Sequence, residues 1–340
     1  MVECVPPRWV YGGALRATYV AFGNPEYLAQ NIVFLSGLRG FIERAAIDLT
    51  QKLDLGRSVK ESPVLYGWSQ LVRQFQPRDA FLLYTGYYKD TILVGGVTCA
   101  NGASLFVKVY DDPAKAAAEL VRANCAERFL RPWFKPACLQ AADGCVVGYE
   151  LLIHAKRTPL STDVETAILS LCRSAYNSPR GSRPTADFVD PLLSTRLSSI
   201  NVSELGATLE RLLSEQTPTP EVRCHGDLTS WNLFLDNAGA LCLVDYEHVG
   251  VCSPYADFFH YYVQPAALHC KTVDLEGLVT LSARSAGVHK EEARRWLALY
   301  LAQQLNRDAF EWVDRNRRHR QLARLIENKA AFLMRVSAEV

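Results

Sequence analysis

The hydrophobic period of this chain changes along its length, and the order of the changes limits the folds open to it. From Asp79 onward, short apolar runs separated by turn signals replace helical spacing. Phe81–Thr85, Thr91–Thr98 and Ser104–Tyr110 have the length and the aromatic or β-branched content of strands. Gly86-Tyr87-Tyr88-Lys89-Asp90 separates the first pair. Ala100-Asn101-Gly102, with its Asn-Gly hairpin signal, separates the second. The three runs predict an antiparallel meander. Asp112-Pro113 is a helix start, an N-cap acid followed by a proline whose missing N–H costs nothing at that position. The predicted helix covers 114–130 and stops near Pro132. Two more strands, 137–140 and 145–152, are joined by Ala142-Asp143-Gly144. Past Ala155 the spacing is mostly helical, over 162–175, 203–215, 275–286, 291–310 and 322–336, with a Ser-, Pro- and Arg-rich loop from 177 to 191. The fold class is therefore α+β, a sheet-rich part preceding a helical part.

Residues 1–75 are expected to form a mostly helical N-terminal extension, because 25–52 has helical spacing of apolar residues, while 58–63 reads as a connector. The remaining organisation is a small sheet-rich domain over 76–153 and a helical domain over 154–340. With 340 residues, 49% of them hydrophobic, the chain can bury a core in each. A net charge of +1 supplies no field that would draw nucleic acid. No run of about 18 apolar residues reads as a membrane span. Glu3, Pro6, Pro7 and Arg8 stand where a signal peptide would place its apolar run. The ten cysteines show no CxxC knuckles. A cytoplasmic chain with reduced thiols is the expectation, and nothing in the sequence sets its oligomeric state.

The exception to the helical second half carries the chemistry. Cys224-His225-Gly226-Asp227-Leu228-Thr229-Ser230-Trp231-Asn232 is followed by a short hairpin, turning at Asp236-Asn237-Ala238-Gly239, and then by Leu243-Val244-Asp245. Phosphoryl transfer asks a protein mainly for positioning and charge neutralisation. Asp227 can orient or deprotonate a hydroxyl. Asn232 and Asp245 are hard oxygen ligands suited to Mg²⁺, and the hairpin returns the chain between them. Lys108 sits in an apolar strand, where an ammonium is costly unless it meets an anion such as a phosphate. An acid on the next helix would hold it, Glu119 in first place and Glu127 two turns later in second. His248, His260 and His269 lack metal-ligand spacing and read as structural.

These residues resemble the aminoglycoside phosphotransferase/choline kinase-like superfamily, including the branch found in bacterial polysaccharide gene clusters, which Trp231 before Asn232 suggests. The resemblance rests on His225-Gly226-Asp227, Asn232, Asp245 and Asp257 and covers about residues 80–335. It implies a bilobal protein-kinase-like fold with an antiparallel-sheet small lobe, a mainly helical large lobe and the active site between them. It implies ATP or GTP as donor, Mg²⁺ as cofactor and a small hydroxylated acceptor, a sugar or aminoglycoside-like compound. By residue, it implies Asp227 as catalytic base, Asn232 and Asp245 as metal ligands, and Lys108 on the nucleotide. His225 would be a structural member of the loop and Asp257 its brace. Glu150 to Ile153, including Leu152, would be the hinge whose backbone meets the adenine. The loop at Gly86 would cover the phosphates with one glycine where several are usual, Lys89 adding a charge. The alternatives are a pseudokinase acting as a nucleotide-sensing scaffold and a protein kinase. The short interval from Asp245 to Asp257 disfavours the protein kinase, since it leaves little room for a peptide-seating activation loop.

Overall fold

The computed structural model describes residues 8–12, 17–23, 57–58, 62–84, 91–137, 139–152, 156–158, 161–200, 202, 204–316 and 320–338. The chain divides into two compact units. The first comprises Met1–Arg131, Lys135–Thr158 and Phe234–Glu247, and the second comprises Pro132–Phe134, Pro159–Leu233 and His248–Val340.

The first unit is built on a mixed-length antiparallel sheet. Elements β1 (Arg8–Gly12), β2 (Ala17–Phe22), β3 (Arg57–Ser58), α1 (Ser62–Phe75), β4 (Pro77–Tyr84), β5 (Thr91–Cys99), β6 (Ser104–Tyr110), α2 (Pro113–Leu130), β7 (Lys135–Pro136), β8 (Leu139–Asp143) and β9 (Val146–Glu150) follow in chain order. The eight-stranded sheet runs β3-β1-β2-β4-β5-β6-β9-β8. The meander β4-β5-β6 and the pair β8-β9 lie where the periodicity places them. Residues 8–12 and 17–22, which fall in the stretch expected to be mostly helical, are strands instead. Trp9-Val10-Tyr11 and Thr18-Tyr19-Val20 are β-branched and aromatic runs, and β2 pairs with β4 across Thr18↔Tyr84 to Phe22↔Ala80. The helical spacing read over 25–52 lies outside the described residues.

Strand periodicity decides what each face of β6 meets. Leu105, Val107 and Val109 point to one face, where they join Trp68 and Leu71 of α1 in a buried apolar cluster. Lys108 points to the other face, between Val94 of β5 and Val147 of β9 in register. Helix α2 begins as its cap predicts: Asp112 accepts from the Ala114 N–H at 2.8 Å, with Pro113 in the first turn. A second sheet in this unit, in the order β10-β13-β14-β7, joins β10 (Lys156–Arg157) to the hairpin β13 (Leu233–Leu235) and β14 (Leu241–Leu243). The hairpin turn is closed by Asp236, whose Oδ1 accepts from the N–H groups of Ala238 and Ala240, both at 2.9 Å.

The second unit is mainly helical. It holds α3 (Thr162–Asn177), β11 (Gly181–Pro184), α4 (Leu193–Ser198), α5 (Gly206–Ser214), β12 (Pro218–Cys224), β15 (Gly250–Cys252), α6 (Ala256–Leu268), α7 (Leu275–Ala286), α8 (Lys290–Val313) and α9 (Arg320–Ala338). The loop expected over 177–191 contains a strand, because β11 pairs with β12 along Gly181↔Glu221 to Pro184↔Pro218. β12 pairs on its other side with β15. This three-stranded sheet delivers the chain into His225. Among the described residues no helix is long and apolar enough to cross a membrane.

Candidate active site

Each unit assembles its own group of polar residues. In the first, Lys108 is buried, and its ammonium donates to Glu119 Oε1 at 3.0 Å and to Asp245 Oδ1 at 2.6 Å. Glu119 is 1% exposed. Its Oε1 also accepts from the Tyr149 hydroxyl of β9 at 2.7 Å. Burial alone would drive the lysine towards neutrality, but the two carboxylates outweigh it and hold its pKa well above the usual value. The phenols of Tyr110 and Tyr149 are pushed far up, first by burial and then by Glu119, so they remain neutral. Of the two acids on α2, Glu119 meets the lysine; Glu127 forms an exposed pair with Arg131 one turn on. Asp245 follows β14 with φ +70°, in the left-handed region that Asp and Asn enter more readily than other side-chain-bearing residues.

In the second unit, β12 ends at Cys224 and the loop turns at once. Gly226 has φ +80°, and a Cβ there would lie 2.2 Å from the His248 carbonyl oxygen, so both conformation and space exclude a side chain. The N–H groups of His225 and Gly226 donate to the Asp257 carboxylate at 2.7 and 2.8 Å. Asp257 thus satisfies two donors of a tight loop, and its burial pushes its carboxyl above the usual range. His225 is buried and its Nδ1 lies 3.4 Å from the Asp227 N–H. The Gly226 carbonyl accepts from Arg307 at 3.3 Å.

Asn232 then closes the loop on itself. Its Nδ2 donates to the Asp227 carbonyl at 2.8 Å and to Asp227 Oδ2 at 3.0 Å. Asp227 Oδ1 is bonded to His260 Nε2 at 2.9 Å, and His260 Nδ1 lies 3.0 Å from the Tyr300 hydroxyl. Burial acts to raise the Asp227 pKa, but the His260 hydrogen bond and the surrounding positive groups prevail and hold it well below the carboxylate range. Burial lowers the His260 pKa to about 4 despite the carboxylate beside it, so the imidazole is neutral at neutral pH.

His260 is the residue that sequence reasoning set aside as structural. A signal was present, however: Asp257 and His260 are spaced i, i+3 on α6, which puts both on the helix face turned to the loop. Glu150 closes β9, with Leu152 just beyond it. Gly86 and Lys89 lie outside the described residues, as does Ile153.

Each unit by itself offers an oxygen donor that suits a hard divalent cation. With both Asn232 amide hydrogens directed to Asp227, its Oδ1 takes no hydrogen bond from any described residue, and Lys108 engages only one oxygen of Asp245. These are neutral and anionic oxygen donors, the chemistry Mg²⁺ requires.

Residues 167–300, which contain Asp227, Asn232, Asp245, Asp257, His260 and Tyr300, match the family described as "Phosphotransferase enzyme family". No curated protein matches the chain by sequence. Among solved structures, the choline kinase LicA from Streptococcus pneumoniae is similar with a TM-score of 0.48 and 13% identity, over 73% of this chain and 90% of that one. Macrolide 2'-phosphotransferase MphH from Brachybacterium faecium is similar with a TM-score of 0.47 and 11% identity, over 73% and 90%. Spectinomycin phosphotransferase APH(9)-Ia, in complex with ADP and spectinomycin, gives 0.48 and 11%, over 80% and 97%. A strand lysine held by a helix glutamate, followed by a mainly helical unit that carries a His-Gly-Asp loop after its first helices, is the element order of a protein-kinase-like fold. Residues 167–300, the segment that carries that loop, are thus similar to the phosphotransferase enzyme family.

Proposed function

We propose that the chain transfers the γ-phosphoryl group of ATP, or of GTP, to a hydroxyl of a small molecule in a Mg²⁺-dependent reaction, with a sugar or aminoglycoside-like acceptor. The observation that carries the reading is the clamp of Asn232 on Asp227, which fixes a partly buried, ionised carboxylate and leaves an amide oxygen for a metal. A carboxylate held ionised at neutral pH is a hydrogen-bond acceptor for an alcohol rather than a strong base. That suits a reaction whose transition state has little nucleophile–phosphorus bonding until late. Asp227 Oδ1 takes one donor from His260 and Oδ2 takes one from Asn232, so each oxygen retains a lone pair for the acceptor hydroxyl. As the hydroxyl oxygen bonds to the γ-phosphorus and the bond to the β-phosphate oxygen breaks, the hydroxyl proton passes to Asp227, and ADP leaves.

Lys108 has three N–H groups. Glu119 and Asp245 take one each, leaving the third for a phosphate oxygen. The lysine is therefore oriented before nucleotide arrives, which reduces the ordering cost of binding. The backbone at Glu150 to Leu152 is assigned to the nucleotide base. Asn232 and Asp245 are assigned to Mg²⁺, which when bound neutralises charge on the transferring phosphoryl group.

The reading is tested by measuring ADP release from Mg·ATP and Mg·GTP across a panel of monosaccharides, aminoglycosides and choline. Acceptor-stimulated ADP release that disappears in Asp227→Ala is expected. Tight Mg·ATP binding without transfer to any acceptor would favour a nucleotide-sensing scaffold instead.

A further inference from the structure

His260 and Tyr300 are unusual occupants of a helical core. Each is 1% exposed, they lie on different helices, and their rings meet nearly perpendicularly at 5.9 Å. A buried imidazole must satisfy both nitrogens, and here one partner of that ring is the carboxylate at the centre of the loop. We propose that His260, held in one tautomer by Asp227 and Tyr300 together, is a positioning residue that sets the plane of the Asp227 carboxylate towards the acceptor hydroxyl. The inference rests on the reading of Asp227 as the group that meets that hydroxyl.

The tautomer follows from donor and acceptor capacity. Ionised Asp227 can only accept, so Nε2 of His260 carries the proton. The neutral ring then accepts at Nδ1, and the Tyr300 hydroxyl donates to it. The order is Tyr300 O–H to His260 Nδ1, and His260 Nε2–H to Asp227 Oδ1. Were the ring to carry its proton at Nδ1, a nitrogen lone pair would face the carboxylate and the phenol would lose its acceptor. The chain is thus directional.

The carboxylate plane is defined by two donors from separate elements, His260 of α6 on Oδ1 and Asn232 of the loop on Oδ2. One donor alone would leave rotation about the Cβ–Cγ bond. The two nearby cations are engaged elsewhere: Arg307 on the Gly226 carbonyl and Lys329 on Asp308 at 2.6 Å. A neutral donor in this place orients the carboxylate without cancelling its charge, as an ammonium or guanidinium would.

Three variants and one spectroscopic readout test this, with ADP release from Mg·ATP in the presence of the best acceptor of the panel, or of water where none is found. In His260→Leu, kcat should fall at least tenfold, with KM for ATP changed less than twofold. His260→Gln retains an amide N–H on a side chain of similar reach and should recover most of the loss. Tyr300→Phe leaves the carboxylate to select the tautomer and should lose about two- to fivefold. Nitrogen-15 spectra of the unaltered protein should show His260 with Nε2 protonated and Nδ1 unprotonated. An Nδ1–H tautomer, an undiminished kcat in His260→Leu, or equal losses in His260→Leu and His260→Gln would overturn the proposal. If the unaltered protein transfers no phosphoryl group at all, the functional reading fails by itself, and the tautomer and its response to Tyr300→Phe still decide the relay.

Discussion

Asn232 gives both of its amide hydrogens to Asp227, one to the backbone carbonyl at 2.8 Å and one to the carboxylate at 3.0 Å. A six-residue loop is thereby closed on its own two ends. The same contacts that shape the loop also orient the carboxylate and leave the amide oxygen for a cation.

Asn232→Ala should consequently injure two functions at once. The Mg²⁺ concentration needed for half-maximal ADP release should rise by about tenfold or more, the scale on which altered metal-site partners act. kcat should fall as Asp227 loses one of its two donors. Asn232→Asp keeps a hard oxygen but brings a second negative charge against Asp227, so it should recover Mg²⁺ affinity better than kcat. Titration with Mg²⁺ after EDTA treatment separates the two effects; equal, parallel recovery of both would contradict the clamp.

Glu119 and Glu127 occupy one helix and should behave oppositely. Glu119→Ala removes a buried partner of Lys108 and of the Tyr149 hydroxyl, and should cost roughly 2–4 kcal/mol in denaturant unfolding. It should also weaken Mg·ATP binding measured by calorimetry. Glu127→Ala removes an exposed pair with Arg131, worth at most about 0.5 kcal/mol. Nucleotide binding should be unchanged there.

Asp257 braces the loop through the N–H groups of His225 and Gly226. Asp257→Ala strands the N–H groups of buried His225 and half-buried Gly226, a loss of about 2–4 kcal/mol for two unsatisfied donors. Gly226→Ala should also destabilise, by more than about 1 kcal/mol, because its φ is positive and the added methyl meets the His248 carbonyl. Hydrogen exchange at the amides of 225–227 should report the loosened loop in both variants. Protection equal to that of the unaltered protein would mean that the brace is dispensable.

Stability should fall in mild acid through His260. Its folded pKa is about 4 against an unfolded value of 6.5, so above pH 6.5 both states are neutral and the residue is without effect. As pH falls from 6.5 to about 4, the unfolded state takes up a proton that the folded state refuses, and stability declines by about 3 kcal/mol. Asp227, Arg307 and Lys329 are the charged groups that act on the ring. Asp227, held low, adds its own loss only below the usual carboxylate range, as it is protonated. Asp257, whose carboxyl burial raises, acts with the opposite sign just above that range and cancels in a comparison of variants. Unfolding curves of His260→Gln should therefore be flatter than those of the unaltered protein between pH 6.5 and 4. Parallel curves would show that the ring titrates alike in both states.

The readings that succeeded from sequence are those in which local chemistry and period agree. The meander, the Asp112 cap and the hairpin turn at Asp236 each combine a hydrophobic pattern with residues that only one backbone geometry favours. The strands at 8–12 and 17–22 escaped because so short a run acquires its meaning from a partner, here β4, that lies some sixty residues away. The strand at 181–184 escaped for a related reason: its glycine, proline and polar residues resemble a loop until β12 is beside it.

The candidate residue types are legible in sequence alone, because a His-Gly-Asp loop, an Asn five residues on and a second Asp after a hairpin encode their spacing along a continuous stretch of backbone. Tertiary structure decided which partners those residues have. The choice of Glu119 over Glu127 depends on which turn of α2 meets one face of β6, and Asp245 reaches Lys108 across 137 positions. His260 and Tyr300 belong to helices that sequence marks only as apolar and aromatic. Side-chain hydrogen bonds act over about three ångströms, and only packing brings such distant positions within that range.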